Sequence, residues 1–370
     1  MASVTKRDGR PNPWEVHYRT PDGKSRRRQF PRKVDAQRFA ATTEADKVRG
    51  AYVDPSAGKV TFGAFAEQWA EALTVDAKTR EGIASHLRAH LLPAFGDLEL
   101  RAIRPSSVQQ WMAGASRDLA PSYVRLLLST LSAILGAAVE DDVIVKNPCR
   151  SRAVQAPPLQ PARVVPWTVD QVRLAVSALP HRYKATAVVA SGCGLRQGET
   201  FGLRVCDVDF LRQRVEVRQQ AKQVTGQGVV IAPPKRGKTR TVPLPETVAA
   251  ALAEHLRAFP AERDGLVFTN TTGAPISRGS FNDRAWKPAV VAAGLEPTRH
   301  NGFHALRHHY ASVLLDAGVS IRALADYLGH TDPGFTLRVY THLMPASEDR
   351  ARQAVDAAFS SVPAVSQEVR

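Results

Sequence analysis

The apolar residues of this chain follow two different periods, and the changes of period divide it into three segments. In the first segment apolar and polar residues alternate, as in a half-buried strand, at Trp14, Val16 and Tyr18. A turn signal at residues 21–23 precedes a very basic second strand, residues 24–30, and a polar-faced helix over 34–49. We therefore predict a small basic β-sheet with one helix as an N-terminal domain over residues 1–55.

The second segment changes to a helical period and follows a linker-like stretch at residues 50–59. Thr61 can cap its first helix, and Pro121 opens its last. The four predicted helices carry these apolar stripes: Phe62, Phe65, Trp69 and Leu73; Ile83, Leu87 and Leu91; Val108, Trp111 and Met112; Leu127, Leu128, Leu131 and Leu135. These stripes predict an all-helical bundle over residues 61–150.

The third segment begins after a proline-rich stretch that ends at Pro166 and is typical of a stiff, extended connection. Thr168 and Gln171 form a capping box that opens a helix. Short strands are predicted at 215–217, 229–231 and 241–244, and helices at about 246–258, 279–293, 303–317, 320–329 and 347–359. The fold class is therefore multidomain, and the third domain, over 165–360, is mixed α+β and mainly helical.

Charge points to a polyanionic partner for this 370-residue chain. Its net charge is +15, and basic surface gains affinity by displacing counterions from phosphate. Residues 1–50 hold thirteen Lys/Arg and six Asp/Glu, so +7 of the charge lies there. By charge alone, a merely basic protein is an equal alternative.

The predicted DNA contacts are Lys24, Arg26, Arg27, Arg28, Arg80, Arg88, Arg125, Lys238 and Arg240. The sheet is predicted to enter a major groove, or else to act as a basic arm that contacts only phosphates.

Cysteine usage and the N-terminus bear on cellular location. The three cysteines are odd in number and lack C-x-x-C spacing, which argues against a disulfide framework and against a zinc site. No apolar signal region or 18-residue apolar run is present in the sequence. We predict a cytoplasmic protein with no cofactor and no bound metal.

Several chemically capable residues occur in the third segment. Arginine grips two phosphate oxygens, histidine moves protons near neutrality, and an activated tyrosine hydroxyl can form a covalent intermediate. The candidates are Arg196, Glu199, Lys235, His304, Arg307, His330 and Tyr340. Each motif alone is weak, since R-x-x-E and H-x-x-R also occur as surface pairs and a lone tyrosine is usually packing. Either His308 or His309 could replace His304, although the spacing to Arg307 favours His304, and Lys238 is the rival of Lys235.

The ordered series resembles the tyrosine recombinases, specifically phage integrases. The motifs are Gly-Leu-Arg-x-Gly-Glu at 194–199, Lys-x-x-Lys-x-Arg-x-Val-Pro-Leu at 235–244, His-x-Leu-Arg-His at 304–308 and Leu-Gly-His at 328–330, followed by Tyr-Thr-His at 340–342. In this order they are highly specific and cover the whole third segment. The bundle resembles the core-site DNA-binding domain of that family, and the first segment is similar to its arm-site-binding domain. His330 and Tyr340 lie ten residues apart, where several relatives have nine, and a predicted turn at Asp332, Pro333 and Gly334 would absorb the extra residue.

The resemblance implies a metal-free strand transfer through a 3′-phosphotyrosyl intermediate on Tyr340. Arg196, Arg307 and His330 would stabilise the transition state, His304 would assist proton removal from Tyr340, and Lys235 would be the general acid. Glu199 would fix Arg196 from behind. The implied partners are core and arm attachment sites in double-stranded DNA, a homotetramer that exchanges C-terminal segments, a directionality factor and a DNA-bending host protein. The alternatives are a type IB topoisomerase, a chromosome dimer resolvase and a non-catalytic DNA-binding regulator.

Overall fold

The structure is a computed structural model. It describes residues 2–21, 23–49, 52, 54, 57–159, 164–234, 237–340, 352–353, 355–356 and 358–359. The chain forms two compact units, Met1–Gln160 and Pro161–Arg370. The described part is mostly helical with small sheets, as the sequence predicts.

The first unit begins with a three-stranded antiparallel sheet in the order β1-β2-β3. Its elements are β1 Ser3–Lys6, β2 Trp14–Arg19, β3 Ser25–Phe30 and α1 Lys33–Val48. The two predicted strands and the predicted helix are confirmed, and β1 is an additional strand. Val16 and Tyr18 are buried against Ala36 and Ala40 of α1. The alternation of β2 therefore places one face of the sheet against the helix and leaves the other facing outward.

The rest of the first unit is helical and has a core of its own. Its helices are α2 Phe62–Ala72, α3 Ala77–His86, α4 Leu92–Phe95, α5 Pro105–Asp118 and α6 Pro121–Glu140. Thr61 caps α2 as predicted, because its hydroxyl accepts from the amide of Ala64. By length and composition α6 could cross a membrane, but Leu131, Ile134 and Leu135 of this helix are fully buried in the bundle core.

The second unit combines nine helices with five short strands among the described residues. The helices are α7 Val169–Ala178, α8 His181–Cys193, α9 Gln197–Phe201, α10 Glu246–Ala258, α11 Arg278–Phe281, α12 Lys287–Ala292, α13 His304–Asp316, α14 Ile321–Leu328 and α15 Pro333–Tyr340. The strands are β4 Val208–Asp209, β5 Arg214–Val217, β6 Gln220–Val224, β7 Gly228–Ala232 and β8 Arg240–Pro243. β4-β5-β8 form one sheet, and β6-β7 form a separate hairpin.

Most of the predicted elements of this unit are confirmed, and β4 and β6 are additional strands. The buried helix α8 has no strong amphipathic stripe, because both of its sides pack into the core, and we did not predict it. Pro333 and Gly334 were predicted to form a turn but instead begin α15, since proline suits a first helical position and Asp332 accepts from the amide of Gly334. Much of the predicted 347–359 helix lies outside the described residues.

Candidate active site

Tyr340 is the last residue of α15, and its side chain is buried. Only 1% of the residue is exposed, and its hydroxyl lies 2.8 Å from Nδ1 of His308. Burial raises the pKa of Tyr340 to about 12, although the positive charges of Arg307 and Arg196 act to lower it. Tyrosine, histidine and two arginines therefore meet at one place, as a phosphoryl-transfer site requires.

Arg307 is held from two sides by backbone carbonyls. One terminal nitrogen donates to the carbonyl of Gly194, 2.8 Å away, and the other to the carbonyl of Leu328. The residue is 1% exposed, and burial, then the charge of Arg196, lowers its pKa to about 9. The guanidinium thus stays charged at neutral pH and its position is fixed before any phosphate arrives.

Gly194 makes this arrangement possible. It ends α8 in the left-handed region with φ of 65°, and a Cβ here would lie 2.4 Å from the ring of Tyr310. A side chain at this position would therefore be strained and would also collide with the ring of Tyr310, which lies on the same helix, α13, as Arg307. The glycine of the Gly-Leu-Arg motif is thus a packing requirement of the site.

The carboxylate of Glu199 binds two arginines, Arg196 and, unexpectedly, Arg240. Its Oε1 accepts from the guanidinium of Arg196 at 2.8 Å, and its Oε2 accepts from the Arg196 amide at 2.9 Å. Both carboxylate oxygens also accept from Arg240, at 2.9 and 2.6 Å. Glu199 is 3% exposed; burial alone raises its pKa, but the bonds and charge of Arg240, with Arg196 and Arg307, hold it to about 2.

Arg240 was predicted to contact DNA, but in the structure its guanidinium is engaged by partners inside the protein. Its side chain is 9% exposed and is paired with Glu199 in a forked geometry. Its Nε donates to the carbonyl of Tyr327 at 2.7 Å, and a Cβ on Gly329 would come within 3.0 Å of its side chain. The side chain of Arg240 therefore braces Glu199 against the end of α14.

Arg240→Met tests this brace, because it keeps an unbranched stem and removes the charge. We expect the free energy of unfolding to fall by roughly 3–5 kcal/mol, since Glu199 stays buried with only Arg196 as a partner. Urea denaturation at neutral pH measures it. Stability that depends on ionised Glu199 is present above the pKa of the unfolded carboxyl and is lost as pH falls through its depressed folded pKa; without Arg240 this loss moves to higher pH.

The matched control is Arg240→Met combined with Glu199→Gln, which removes the unpaired carboxylate and should recover part of the loss. A loss below about 1 kcal/mol in the single variant, the range of an exposed ion pair, would contradict the buried-brace account.

His330 has both ring nitrogens engaged. Nε2 lies 3.0 Å from a terminal nitrogen of Arg307, which can only donate, so Nε2 accepts and the ring proton is on Nδ1. Nδ1 donates to the hydroxyl of the fully buried Thr336 at 2.7 Å. Burial, then the charge of Arg307, lowers the pKa of His330 to about 4, which keeps the ring neutral. Thr336 was not predicted as a site residue; its place on α15 is the only sequence signal for it.

Three histidines on α13 occupy different surroundings. His304 is exposed and meets His308 edge-on, with ring centroids 4.8 Å apart, and no hydrogen bond joins it to Tyr340 within the described structure. His308 contacts Tyr340 directly. His309 donates through Nδ1 to the carbonyl of Trp167 at 2.8 Å, which belongs to the core. The spacing argument favoured His304, but the imidazole that reaches the tyrosine hydroxyl is that of His308.

The remaining predicted residues are distributed as follows. Lys235 lies outside the described residues, and Lys238 is exposed beyond the β6-β7 hairpin. Arg88 and Arg125 are exposed on the bundle, although Arg125 donates to the carbonyl of Pro157. Arg80 donates to the carbonyls of Ala70 and Leu73 and so caps the end of α2.

The basic strand β3 divides its arginines between two faces. Arg26 and Arg28 lie opposite Tyr18 and Val16, on the side of α1. Arg28 stacks over the ring of Phe39 at 5.0 Å, and Arg26 pairs with Asp54 at 3.1 Å. Arg27 lies opposite His17 on the outward face, and Lys24 is exposed just before the strand.

Metal-ligand geometry is not found in the described ranges: no three histidine, cysteine, aspartate or glutamate side chains lie together in a way that could hold an ion. His304, His308 and His330 are close to positive arginines, which disfavours a cation there.

The chain resembles known proteins over most of its length. Residues 168–347 match the model of the phage integrase family, and residues 61–114 match the phage integrase N-terminal SAM-like domain. The putative prophage phiRv2 integrase of Mycobacterium tuberculosis is 30% identical over 356 residues, which cover 92% of this chain and 90% of that protein.

Two solved structures share the fold. The Tn1549 transposon integrase in complex with transposon right end DNA has a TM-score of 0.68 and 21% identity, covering 82% of this chain and 100% of that one. A lambda integrase tetramer bound to a Holliday junction has a TM-score of 0.55 and 18% identity, covering 89% of this chain and 96% of that one. The chain belongs to the phage integrase family of tyrosine recombinases.

Proposed function

We propose that this chain is the integrase of a mobile genetic element and that it inserts and excises the element at attachment sites in DNA. The observation that carries the proposal is the position of the buried Tyr340 hydroxyl. It lies 2.8 Å from Nδ1 of the neutral His308 ring and near the guanidinium groups of Arg307 and Arg196. A phenol in such a site serves no packing purpose that phenylalanine would not serve. It is suited to attack a phosphodiester.

The reaction proceeds by two transesterifications. Tyr340 attacks the scissile phosphate to give a 3′-phosphotyrosyl enzyme and a free 5′-hydroxyl, and the 5′-hydroxyl of a partner strand then reverses the chemistry. Arg196, whose side chain is 37% exposed, and Arg307 bind the non-bridging oxygens and stabilise their developing charge. His330 is directed to the same place by Thr336. Lys235 protonates the departing 5′-oxygen, so the bond energy is conserved without a cofactor or metal.

The partners follow from charge and from the family. Core-type DNA sites bind the helical domain and the active site. Arm-type DNA sites bind the N-terminal sheet, where Arg27 and Lys24 are the candidates to contact DNA. The active assembly is a homotetramer whose protomers exchange their C-terminal segments, as the lambda integrase tetramer on a Holliday junction suggests. A directionality factor and a DNA-bending host protein assist, and the protein acts in the bacterial cytoplasm.

A recombination assay tests the proposal. Purified protein is mixed with a supercoiled plasmid that carries the attachment site of the element, a linear duplex with the bacterial site and an extract of the host. We expect plasmid–linear recombinants whose junctions lie within the shared core sequence. Relaxation of plasmids that lack the site, without recombinants, would instead indicate a type IB topoisomerase.

Removing residues 1–58 tests the arm-binding role of the N-terminal domain. A protein beginning at Lys59 is expected to form the Tyr340 adduct on short core-site duplexes, because the site lies wholly in the second unit. It should fail to integrate a donor whose sites carry flanking arm sequences, because the second DNA contact raises the effective concentration only when both modules are present. Salt titration of binding to such a donor should give a shallower slope, because fewer phosphates are contacted.

The full-length chain on the same donor is the control for this truncation. Equal integration by the two proteins would remove the arm-binding role and would favour a resolvase that needs only core sites.

A further inference from the structure

The hydroxyl of Tyr340 contacts the imidazole ring of His308. Their rings lie 5.6 Å apart at an interplanar angle of 60°, and the hydroxyl to Nδ1 distance is 2.8 Å. Because the tyrosine is 1% exposed, its hydroxyl is shielded from bulk water. A proton that leaves this hydroxyl therefore needs an acceptor inside the protein, and the acceptor in contact is His308.

The other histidines near the site have different partners. Both nitrogens of His330 are engaged, with Arg307 and with Thr336. Nδ1 of His309 donates to the carbonyl of Trp167. His304 meets the edge of His308 instead of the tyrosine. Within the described second unit, His308 is thus the one histidine hydrogen-bonded to Tyr340.

The protonation states suit a transfer in this direction. Burial, then the charge of Arg307, lowers the pKa of His308 to about 4, so its ring is neutral at physiological pH. The tyrosine hydroxyl is protonated and must be the donor, so Nδ1 is the acceptor and the ring proton is on Nε2. Before DNA binds, the proton stays on the tyrosine. A bound phosphodiester brings negative charge next to Arg307 and Arg196, and this raises the proton affinity of His308.

We propose that His308 is the general base that takes the proton of Tyr340 during cleavage and returns it during rejoining; this rests on the proposed function. As the bond from the tyrosine oxygen to phosphorus forms, the phenolic proton passes to Nδ1 of His308 and the bond from phosphorus to the 5′-oxygen breaks. The general acid protonates that oxygen. In the reverse step the incoming 5′-hydroxyl gives its proton back to the general acid and displaces the tyrosine oxygen, which recovers its proton from Nδ1.

The first test compares His308→Ala with His308→Asn. The amide oxygen of asparagine can occupy the place of Nδ1 and accept the tyrosine hydrogen bond, but it cannot take up the proton. Cleavage is followed as adduct formation on a nicked duplex that carries the core site of the element and traps the covalent product. We expect both variants to be slower than the wild type by roughly 10²–10⁴-fold, the usual scale of a general base. Near-wild-type cleavage by His308→Asn would reduce His308 to a positioning residue and overturn the proposal.

The pH profile provides a readout that a merely structural role would not change. The charged and titratable groups around His308 are His304 and Arg307 on α13, Arg196, His330 and Tyr340. All of them remain in the His308 variants. Without the base, hydroxide must ionise Tyr340, so the cleavage rate should rise about tenfold per pH unit below the pKa of that tyrosine. Added imidazole should partly rescue His308→Ala but should not rescue His308→Asn, which leaves little space.

His309→Asn is the matched control, because it makes the same change one residue away at a histidine whose partner is a core carbonyl. We expect its cleavage rate to stay within a few-fold of the wild type and its pH profile to keep its shape. A bridging 5′-sulfur in the DNA should not rescue the His308 variants, since their defect lies in the nucleophile and not in the leaving group.

The possible outcomes separate the two proposals. If His304→Asn alone shows the slow, hydroxide-dependent cleavage, His304 is the base and the inference is wrong. If the wild-type protein forms no adduct on a duplex that it binds, the proposed function fails and the inference fails with it. Mobility shifts on the same duplex confirm that each variant folds and binds.

Discussion

A Tyr340→Phe variant is expected to bind core-site DNA within a few-fold of the wild type and to form no covalent adduct. The change removes one hydroxyl from a buried ring and with it the only atom of this side chain that could become bonded to phosphorus. Denaturing gel electrophoresis of the reaction on a nicked core-site duplex measures the adduct, and a mobility shift on the same duplex measures binding.

Tyr310→Phe is the matched control. Tyr310 is also buried and lies against Gly194, and its hydroxyl can be removed without touching the contact to His308. This variant should keep the adduct. An adduct that persists in Tyr340→Phe and disappears in Tyr310→Phe would transfer the nucleophile to Tyr310.

Lys235→Ala is expected to slow strand cleavage by roughly two to four decades, because the departing 5′-oxygen would leave without its proton. Replacing that bridging oxygen with sulfur should restore most of the rate, since a thiolate leaves unprotonated. Single-turnover cleavage of the two duplexes by wild type and variant measures both effects.

Lys238→Ala serves as the control, since Lys238 is exposed and lies only three residues further along the chain. It should lower binding modestly and show no dependence on the sulfur substitution. If the sulfur duplex rescues Lys238→Ala but not Lys235→Ala, the general acid is Lys238.

The alternation of Trp14, Val16 and Tyr18 and the helical stripes of the bundle were sufficient to predict most elements. Such periods report directly on which face of an element is buried. The helix α8 was not predicted because it is buried on several sides, so its sequence carries no amphipathic period. The start of α15 at Pro333 was taken for a turn, since proline and glycine are common in both contexts.

Side-chain partners were harder to predict than elements. His304 lies three residues before Arg307 and His308 lies one residue after it, so both are near that arginine, and only the path of α15 decides which of them meets Tyr340. In the sequence Arg240 is one of several cations in a basic segment. Nothing in its neighbourhood reveals that Glu199, 41 residues earlier, accepts hydrogen bonds from both of its terminal nitrogens. Such contacts depend on long-range packing, so local sequence patterns do not predict them.

The most direct test of the central claim is to identify the residue that carries DNA after cleavage. The adduct from a nicked core-site duplex is isolated, digested with protease and nuclease, and sequenced by mass spectrometry. The account predicts a single modified peptide with the nucleotide attached through its 3′-phosphate to Tyr340. A modification on any other residue, or a linkage through a 5′-phosphate, would contradict it.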